Sequence, residues 1–111
     1  MRSQTELTQQ LEQLLEELKR YGAEKIILFG SAARGDTDAY SDLDLVVIKS
    51  TTLGFVDRLA DVVFNCPSAL EADVIVYTPE EFQQMQTMEN PFIEGVLRDG
   101  KALYEKSPTP R

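Results

Sequence analysis

The chain begins with a segment whose apolar residues follow a helical spacing. Offsets of three and four residues place them on one stripe of a helix, with polar residues on the remaining surface. Ser3 followed by Glu6 is a capping-box pattern at the start of this segment, and Gly22 is a stop signal at its end. The pattern predicts an amphipathic first helix with a stripe formed by Leu7, Leu11, Leu14, Leu15, Leu18 and Tyr21.

Three short apolar runs further along the chain have the length and composition of strands, at residues 26–29, 43–48 and 73–77. The first contains no polar residue, which is typical of a strand buried on both faces of a sheet. Residues 30–41, between the first two runs, are polar and rich in turn formers. A helix is predicted between the second and third strands, and its apolar positions are Val56, Leu59, Ala60 and Val63.

Helix start signals follow the third strand. Thr78 is a predicted cap, Pro79 takes the first helical position and Glu81 completes a capping box. The Asn-Pro pair at 90–91 interrupts the pattern, so this helix should end before it. A further short helix is predicted to carry Phe92, Ile93, Val96 and Leu97.

The complete order of elements is α-β-α-β-α-β-α-α-β, in which Gly100 leads into a last strand at 101–104. This order predicts an α/β or α+β fold with one small mixed sheet flanked by helices. The 111 residues fit a single domain at 1–104, without room for a separate substrate domain. Residues 105–111 contain two prolines and are predicted to fray as a C-terminal tail.

The net charge and the absence of histidine exclude several partners and several kinds of active site. Nineteen acidic and eleven basic residues give a net charge of −8, which repels a nucleic-acid backbone. We therefore expect no direct nucleic-acid binding, and a basic protein or a metal-complexed nucleotide fits better. With no histidine, Ser-His triads and His-ligated zinc sites are excluded, which leaves carboxylate and metal chemistry.

The sequence favours a cytoplasmic location. No apolar run reaches the roughly 18 residues of a membrane span, and the polar residues 1–10 do not form a signal peptide. The single Cys66 excludes an internal disulfide and fits a reducing compartment. Without a histidine to activate it, Cys66 is interpreted as a semi-buried thiol near a helix end. We expect a soluble protein with no membrane contact.

Three aspartates lie at the starts of predicted strands. Asp42 and Asp44 are two residues apart and would project from the same side of a strand, about 6 to 7 Å from each other. Two such carboxylates repel one another unless a cation lies between them, and Mg²⁺ accepts carboxylate and phosphate oxygens together. Asp73 opens the third strand and would lie beside them if the strands pair. Three carboxylates can hold two metal ions for phosphoryl or nucleotidyl transfer.

The turn after the first strand suits a phosphate. Gly30 allows close approach of the backbone, and Ser31 is predicted to cap a short helix whose first amides would face an anion. Arg34 could reach the same phosphates. A lone Gly-Ser pair is usually a simple turn and cap. The aspartates that follow favour the phosphate interpretation.

Two other arrangements compete for the metal role. Asp36 and Asp38 have the same spacing but lead into no apolar run that would hold them, so they are interpreted as solvated turn residues. A calcium loop through this segment fails because its sixth position is Ser41 rather than glycine and its twelfth is Val47 rather than glutamate.

The order Gly30-Ser31, ten residues, then Asp42-x-Asp44 resembles the signature of the DNA polymerase β-like nucleotidyltransferase superfamily. The chain is most similar to its small prokaryotic branch, the minimal nucleotidyltransferases (MNT). These are commonly encoded beside a HEPN-domain ribonuclease as a toxin-antitoxin pair. The resemblance covers nearly the whole chain, including the leading helix, residues 28–31, residues 33–35 and Asp73.

The resemblance implies a nucleotidyltransferase fold and a magnesium-dependent reaction with ATP. AMP would pass to a hydroxyl, a tyrosine of the partner HEPN toxin, with release of pyrophosphate, and the protein would act as antitoxin. The catalytic residues and ligands of two Mg²⁺ ions would be Asp42, Asp44 and Asp73. The nucleotide would be bound by Gly30, Ser31, Arg34, Asp42 and Asp44.

Two alternatives stay open at this point. The protein could be a non-catalytic antitoxin that neutralises its partner by binding alone, although the presence of all three carboxylates favours an enzyme. The acids could also be ordinary surface charge on a small α/β domain. A structure in which Asp73 points away from the other acids would support that last interpretation.

Overall fold

A four-stranded mixed sheet forms the centre of the chain. The computed structural model describes residues 4–33 and 43–106, with side chains except at residues 4, 5, 31 and 32. The strands lie in the order β3-β2-β1-β4; β1 is antiparallel to β2 and to β4, and β2 is parallel to β3. The strands are β1 (Lys25–Phe29), β2 (Leu43–Ile48), β3 (Ala72–Tyr77) and β4 (Lys101–Glu105).

Helices connect and cover the strands, which confirms the predicted mixed sheet flanked by helices. A short 3-10 helix at Pro67–Glu71, which the sequence pattern did not predict, precedes β3. The α-helices are α1 (Gln4–Tyr21), α2 (Gly30–Ala33), α3 (Phe55–Asn65), α4 (Pro79–Thr87) and α5 (Pro91–Asp99).

The predicted capping and stop residues lie at the ends of the observed helices. Gly22 follows α1 with φ of +109°, a conformation that favours glycine. Thr78 accepts a hydrogen bond from the amide of Glu81, whose side chain accepts one from the amide of Thr78, so the second capping box is confirmed. Asn90 caps α5 through its side-chain oxygen. The Ser3 capping pattern lies outside the described residues.

Alternation along the strands divides the core into two layers. On one face of the sheet, alternate strand residues pack with α1, α3 and the 3-10 helix, and on the other face they pack with α4 and α5. The first layer includes Leu14, Leu18, Ile26, Leu45, Val47 and Val62. The second includes Ile27, Val46, Ile48, Phe82, Ile93 and Val96.

The side of α3 that contacts the core differs from the apolar stripe in the sequence. Arg58 and Val62 are the buried residues of this helix. Val56 and Leu59 are instead 75% and 45% exposed. The apolar spacing therefore identified a helix correctly, but most of its stripe faces solvent.

Arg58 is buried because its charge is fully partnered. Its Nε donates to the Leu53 carbonyl at 2.9 Å and its Nη1 to the Val76 carbonyl at 3.2 Å. Its two terminal nitrogens donate to the Glu81 carboxylate at 2.7 and 3.1 Å. These bonds to Arg58 and the amide of Thr78 hold the pKa of the Glu81 carboxyl below its ordinary value. The guanidinium thus joins α3 to β3 and α4.

The C-terminal end of the predicted domain differs slightly from expectation. β4 extends to Glu105, and the amide of Lys106 donates to the Glu24 carbonyl, so pairing continues past the predicted boundary at 104. The remaining predicted tail, at 107–111, lies outside the described residues. Over the described ranges, no helix combines the length and apolar content that crossing a membrane requires.

Candidate active site

Asp44 and Asp73 occupy equivalent positions on neighbouring strands. The parallel register of β2 and β3 pairs Asp44 with Asp73, so both side chains project from the same face of the sheet. Adjacent strands lie about 4.8 Å apart, which places the two carboxylates side by side. Asp44 is half-buried and Asp73 is exposed. The expected approach of the third strand's acid to the second strand is therefore observed.

Asp44 and Asp73 lie at one end of a sheet face whose neighbouring β2 residues are apolar. Val46 and Ile48 continue the Asp44 side of β2 and are buried in the second core layer. Leu43, Leu45 and Val47 fill the opposite face, as the strand alternation predicts. Asp73 is thus exposed and Asp44 partly so, while the remaining residues on this side of β2 belong to the core.

Gly30 touches the carboxylate of Asp44. The end of β1 pairs Phe29 with Asp44, and Gly30 then turns with φ of +75°. A Cβ placed at Gly30 would collide with Oδ2 of Asp44 and would lie 3.3 Å from its Cγ. Both the backbone conformation and the lack of a side chain are therefore needed here. The predicted phosphate turn and the predicted metal ligand are in contact.

α2 begins two residues earlier than predicted. It spans Gly30–Ala33, so Ser31 lies in its first turn instead of capping it. The side chain of Ser31 lies outside what the structure describes, as do Arg34 and Asp42. The competing pair Asp36 and Asp38 falls in the same undescribed range. The structure therefore brings together Gly30, Asp44 and Asp73 from the predicted site.

The described carboxylates suit a divalent cation. Asp44 and Asp73 place two oxygen donors on one face, and two adjacent carboxylates repel each other unless positive charge is supplied. Hard cations such as Mg²⁺ prefer such ligands and retain positions for phosphate oxygens. Among the residues that the structure describes, no cluster of three potential ligands occurs, and the predicted third ligand, Asp42, is not among them.

A pocket of about 290 Å³ opens beside Gly30. The rings of Phe29 and Phe92 meet edge to face in its wall, with centroids 5.4 Å apart. Sequence reasoning placed Phe92 on a short helix and missed the pocket. Gly95, a glycine inside a helical pattern, was the available signal. The complete lining consists of Phe29, Gly30, Pro91, Phe92, Gly95, Val96 and Asp99.

The thiol of Cys66 lies in the first core layer, on the opposite face of the sheet from Asp44 and Asp73. It is fully buried at the end of α3, and burial, together with the charges of Glu17 and Asp61, raises its pKa to about 11. Asp61 accepts a hydrogen bond from the Tyr21 hydroxyl. Burial and this bond raise the pKa of Tyr21. These residues form a structural cluster on the α1 side of the sheet.

The sequence of the chain is similar to those of nucleotidyltransferases. The family described as polymerase beta, nucleotidyltransferase matches residues 9–109. A candidate protein adenylyltransferase of Methanocaldococcus jannaschii, MJ1305, is 37% identical over 87 residues, which are 73% of this chain and 58% of the relative. The match therefore spans less than two thirds of that relative's length.

Solved structures share the fold. A candidate minimal nucleotidyltransferase is 28% identical with a TM-score of 0.56, and the match covers 87% of this chain and 92% of that one. A structure of a tri-AMPylated Shewanella oneidensis HEPN toxin in complex with MNT antitoxin matches with a TM-score of 0.52 and 22% identity. That match covers 90% of this chain and 73% of the other. At 22% identity the second likeness concerns the fold alone.

Proposed function

Because this chain belongs to the polymerase beta nucleotidyltransferase family, we propose that it transfers AMP from ATP to a hydroxyl group of a partner HEPN toxin and thereby acts as its antitoxin. The observation that carries the proposal is the contact of Gly30 with Asp44 and the register pairing of Asp44 with Asp73. It joins a phosphate turn to two carboxylates at one end of the sheet.

One group of residues would bind the triphosphate, and another would bind the metal. The backbone at Gly30 and Ser31, with the Arg34 side chain, would bind the triphosphate. Asp42, Asp44 and Asp73 would hold Mg²⁺, two ions in the full site, which would neutralise charge that develops on the transferred phosphoryl group. Half-burial of Asp44 and its packing against Gly30 would fix the orientation of its carboxylate.

The transfer would proceed by in-line displacement. The acceptor oxygen, of a tyrosine in our proposal, forms a bond to the α-phosphorus of ATP while the bond from that phosphorus to the bridging oxygen of pyrophosphate breaks. Pyrophosphate leaves with that electron pair. Asp73, the exposed acid of the pair, would accept the proton of the hydroxyl. The products are an AMP ester of the acceptor and pyrophosphate.

The pocket beside Gly30 provides apolar walls for the nucleoside. Its volume of about 290 Å³ and its two aromatic rings suit a stacked base, and it lies directly next to the phosphate turn. We propose that the adenosine of ATP enters this pocket while its phosphates reach Gly30.

Two relatives and the net charge support a HEPN toxin as acceptor, and the proposed substrate supports a cytoplasmic location. The fold matches an MNT antitoxin in complex with a tri-AMPylated HEPN toxin, and the relative MJ1305 is a candidate protein adenylyltransferase. The net charge of −8 suits a basic, RNA-cleaving partner. ATP as substrate fits the cytoplasm.

Calorimetry and mass spectrometry together test the proposal. We expect magnesium-dependent ATP binding by the wild type and its loss in Asp42→Asn and Asp44→Asn. Co-expression with a HEPN toxin should yield toxin heavier by one or more AMP groups. Absence of ATP binding and of modification, with a complex still formed, would show instead an antitoxin that acts by binding alone.

A further inference from the structure

The side of α5 that lines the pocket beside Gly30 ends in an acid. Four residues spaced i, i+3, i+4 and i+7 form one stripe of this helix, and all four line the pocket: Phe92, Gly95, Val96 and Asp99. Val96 is buried, whereas the side chain of Asp99 is 51% exposed. A molecule in the pocket can therefore contact the carboxylate of Asp99.

The end of the helix does not explain why an acid occupies position 99. Asp99 is the last residue of α5, where the final backbone carbonyls carry partial negative charge. Cations stabilise this end of a helix, and Arg98 is such a cation, but a carboxylate is repelled there. Asp99 therefore gains no stabilisation from its own helix end, which favours a role in the pocket.

Arg98 orients the carboxylate of Asp99. Its Nε donates to Oδ1 and its Nη2 to Oδ2, each at 3.3 Å. The same Nη2 lies 3.8 Å from the place that a Cβ on Gly95 would occupy, so the ion pair borders the pocket-lining side of α5. Each carboxylate oxygen can accept a further hydrogen bond. Asp99 thus presents two acceptors to hydroxyl groups of a ligand.

Strand pairing places Asp99 beside the predicted phosphate turn. Lys101 of β4 pairs with Leu28 of β1 in an antiparallel register. Asp99 precedes Lys101 by two residues and Gly30 follows Leu28 by two, so Asp99 and Gly30 lie at the same end of neighbouring strands. On the β2 side, Gly30 contacts the carboxylate of Asp44. Gly30 therefore lies between the predicted metal ligand and Asp99.

The sugar is the part of a nucleotide that suits Asp99. A carboxylate repels phosphates but accepts hydrogen bonds from ribose hydroxyls, as acids in other nucleotide-binding folds do. Phe92, whose ring would stack on the base, lies seven residues before Asp99, which is about 10 Å along the helix axis. With the phosphates at Gly30 and the base at Phe92, the ribose between them lies next to Asp99.

From these observations we infer that Asp99 selects ribonucleotides by accepting hydrogen bonds from the 2′- and 3′-hydroxyls of the ribose. Arg98 is a positioning residue that holds the carboxylate toward the sugar. This inference rests on the proposed function and deepens it, because it names the group of the nucleotide that the site recognises. A deoxynucleotide lacks one of the two donors and therefore binds less tightly.

Calorimetry with four magnesium nucleotides tests the inference in the absence of any toxin. The nucleotides are ATP, 2′-deoxyATP, 3′-deoxyATP and GTP, and the proteins are the wild type, Asp99→Ala and Glu94→Ala. Glu94 is the matched control, because it is an exposed acid on the opposite side of the same helix. Thermal melts by circular dichroism check folding. Asp99→Ala should not lower the melting temperature, since it removes an acid from the negative end of α5.

We expect wild-type protein to bind MgATP about tenfold more tightly than either deoxynucleotide, because a hydrogen bond to a charged group is lost. In Asp99→Ala the three adenosine nucleotides should differ by less than about twofold, since the group that distinguishes them is gone. Glu94→Ala should keep the wild-type preference.

Equal weakening of all three adenosine nucleotides in Asp99→Ala would overturn the inference, because a purely structural role does not distinguish sugars. Weakening of ATP relative to GTP, with the sugar preference intact, would also overturn it and would assign Asp99 to the base. If the wild type binds none of the nucleotides, the proposed function fails and the inference fails with it. If Asp99→Ala loses the sugar preference but the wild type transfers no AMP to a toxin, the inference stands and only the proposed transfer fails.

Discussion

Asp44 and Asp73 are register partners on the parallel strands β2 and β3, and their side chains share one face of the sheet. Asp44 is half-buried against Gly30, whereas Asp73, on the edge strand of the sheet, is exposed. The pair therefore has an inner and an outer member. We expect the inner acid to serve the nucleotide and its metal, and the outer acid to serve the acceptor as well.

Replacing the two acids separately should distinguish these roles. Asp44→Asn should abolish MgATP binding and lower AMP transfer by at least about 100-fold, because a carboxylate that balances the metal charge is lost. Asp73→Asn should lower transfer more than it lowers ATP affinity. Calorimetry and transfer of labelled AMP measure the two effects, with Glu12→Gln on exposed α1 as control. Equal loss of ATP affinity in both variants would contradict the different roles proposed for Asp44 and Asp73.

Gly30→Ala should damage both stability and nucleotide binding. The backbone has φ of +75° and the new methyl group would meet Oδ2 of Asp44, so the carboxylate or the turn must move. We expect a loss of about 1 to 3 kcal/mol in the free energy of unfolding and a large loss of MgATP affinity. Denaturant unfolding and calorimetry measure these changes.

Gly54→Ala is the matched control for that substitution. Gly54 has φ of −67°, and a Cβ there would meet no atom within 4 Å. We expect a change in stability of less than about 0.5 kcal/mol, because reduced flexibility of the unfolded chain and a poorer helix cap oppose one another. Equal effects of the two substitutions would show that the Gly30 contact with Asp44 has no special importance.

Glu81→Gln should alter how the free energy of unfolding depends on pH under acidic conditions. Because the bonds from Arg58 and Thr78 hold the pKa of Glu81 below its unfolded value, ionised Glu81 stabilises the fold above about pH 4.3. That stabilisation disappears as the pH falls through the lowered folded-state pKa. Urea unfolding from pH 3 to pH 7 should show a wild-type advantage of about 1 to 2 kcal/mol that vanishes at the acid end.

The size of that advantage is limited by solvent, since the Glu81 side chain is 41% exposed. Glu80→Gln, at an exposed position in the same helical turn, provides the control. It should leave the pH profile unchanged. A profile for Glu81→Gln that runs parallel to the wild type at all pH values would contradict the role of its charge.

Filling the pocket beside Gly30 should weaken nucleotide binding without lowering the stability of the fold. Gly95 lies inside α5, where the nearest atom to an added Cβ would be an Arg98 nitrogen at 3.8 Å. Gly95→Ala and Gly95→Leu should each stabilise the helix by about 0.5 to 1 kcal/mol. Gly95→Leu should weaken MgATP binding more strongly than Gly95→Ala, because only its side chain occupies the pocket. Unchanged ATP affinity in Gly95→Leu would place the nucleoside elsewhere.

Local sequence patterns predicted most of the fold because local interactions determine it. The capping box at Thr78 and Glu81 formed as expected, and the alternation in β2 placed Leu45 in one core layer and Val46 in the other. The two-residue period of a strand determines which residues share a face. The approach of Asp73 to Asp44 was expected on the condition that the second and third strands pair, which they do.

Features that depend on long-range packing escaped prediction. The spacing in α3 identified a helix, but the sheet contacts the side with Val62 and Arg58 and leaves Val56 exposed. Burial of an arginine becomes favourable only when Glu81 and the carbonyl of Val76 are brought to it by folding. Likewise, the contact of Gly30 with Asp44 depends on the antiparallel register of β1 and β2.

The buried state of Cys66 has a practical consequence for labelling. It is the one cysteine of the chain, it is fully buried, and its thiol has a raised pKa of about 11, so it reacts slowly with maleimides near neutral pH. A second cysteine introduced at exposed Val56 would therefore accept a fluorophore selectively without prior removal of the native thiol. Such a probe would report directly when another protein comes into contact with α3.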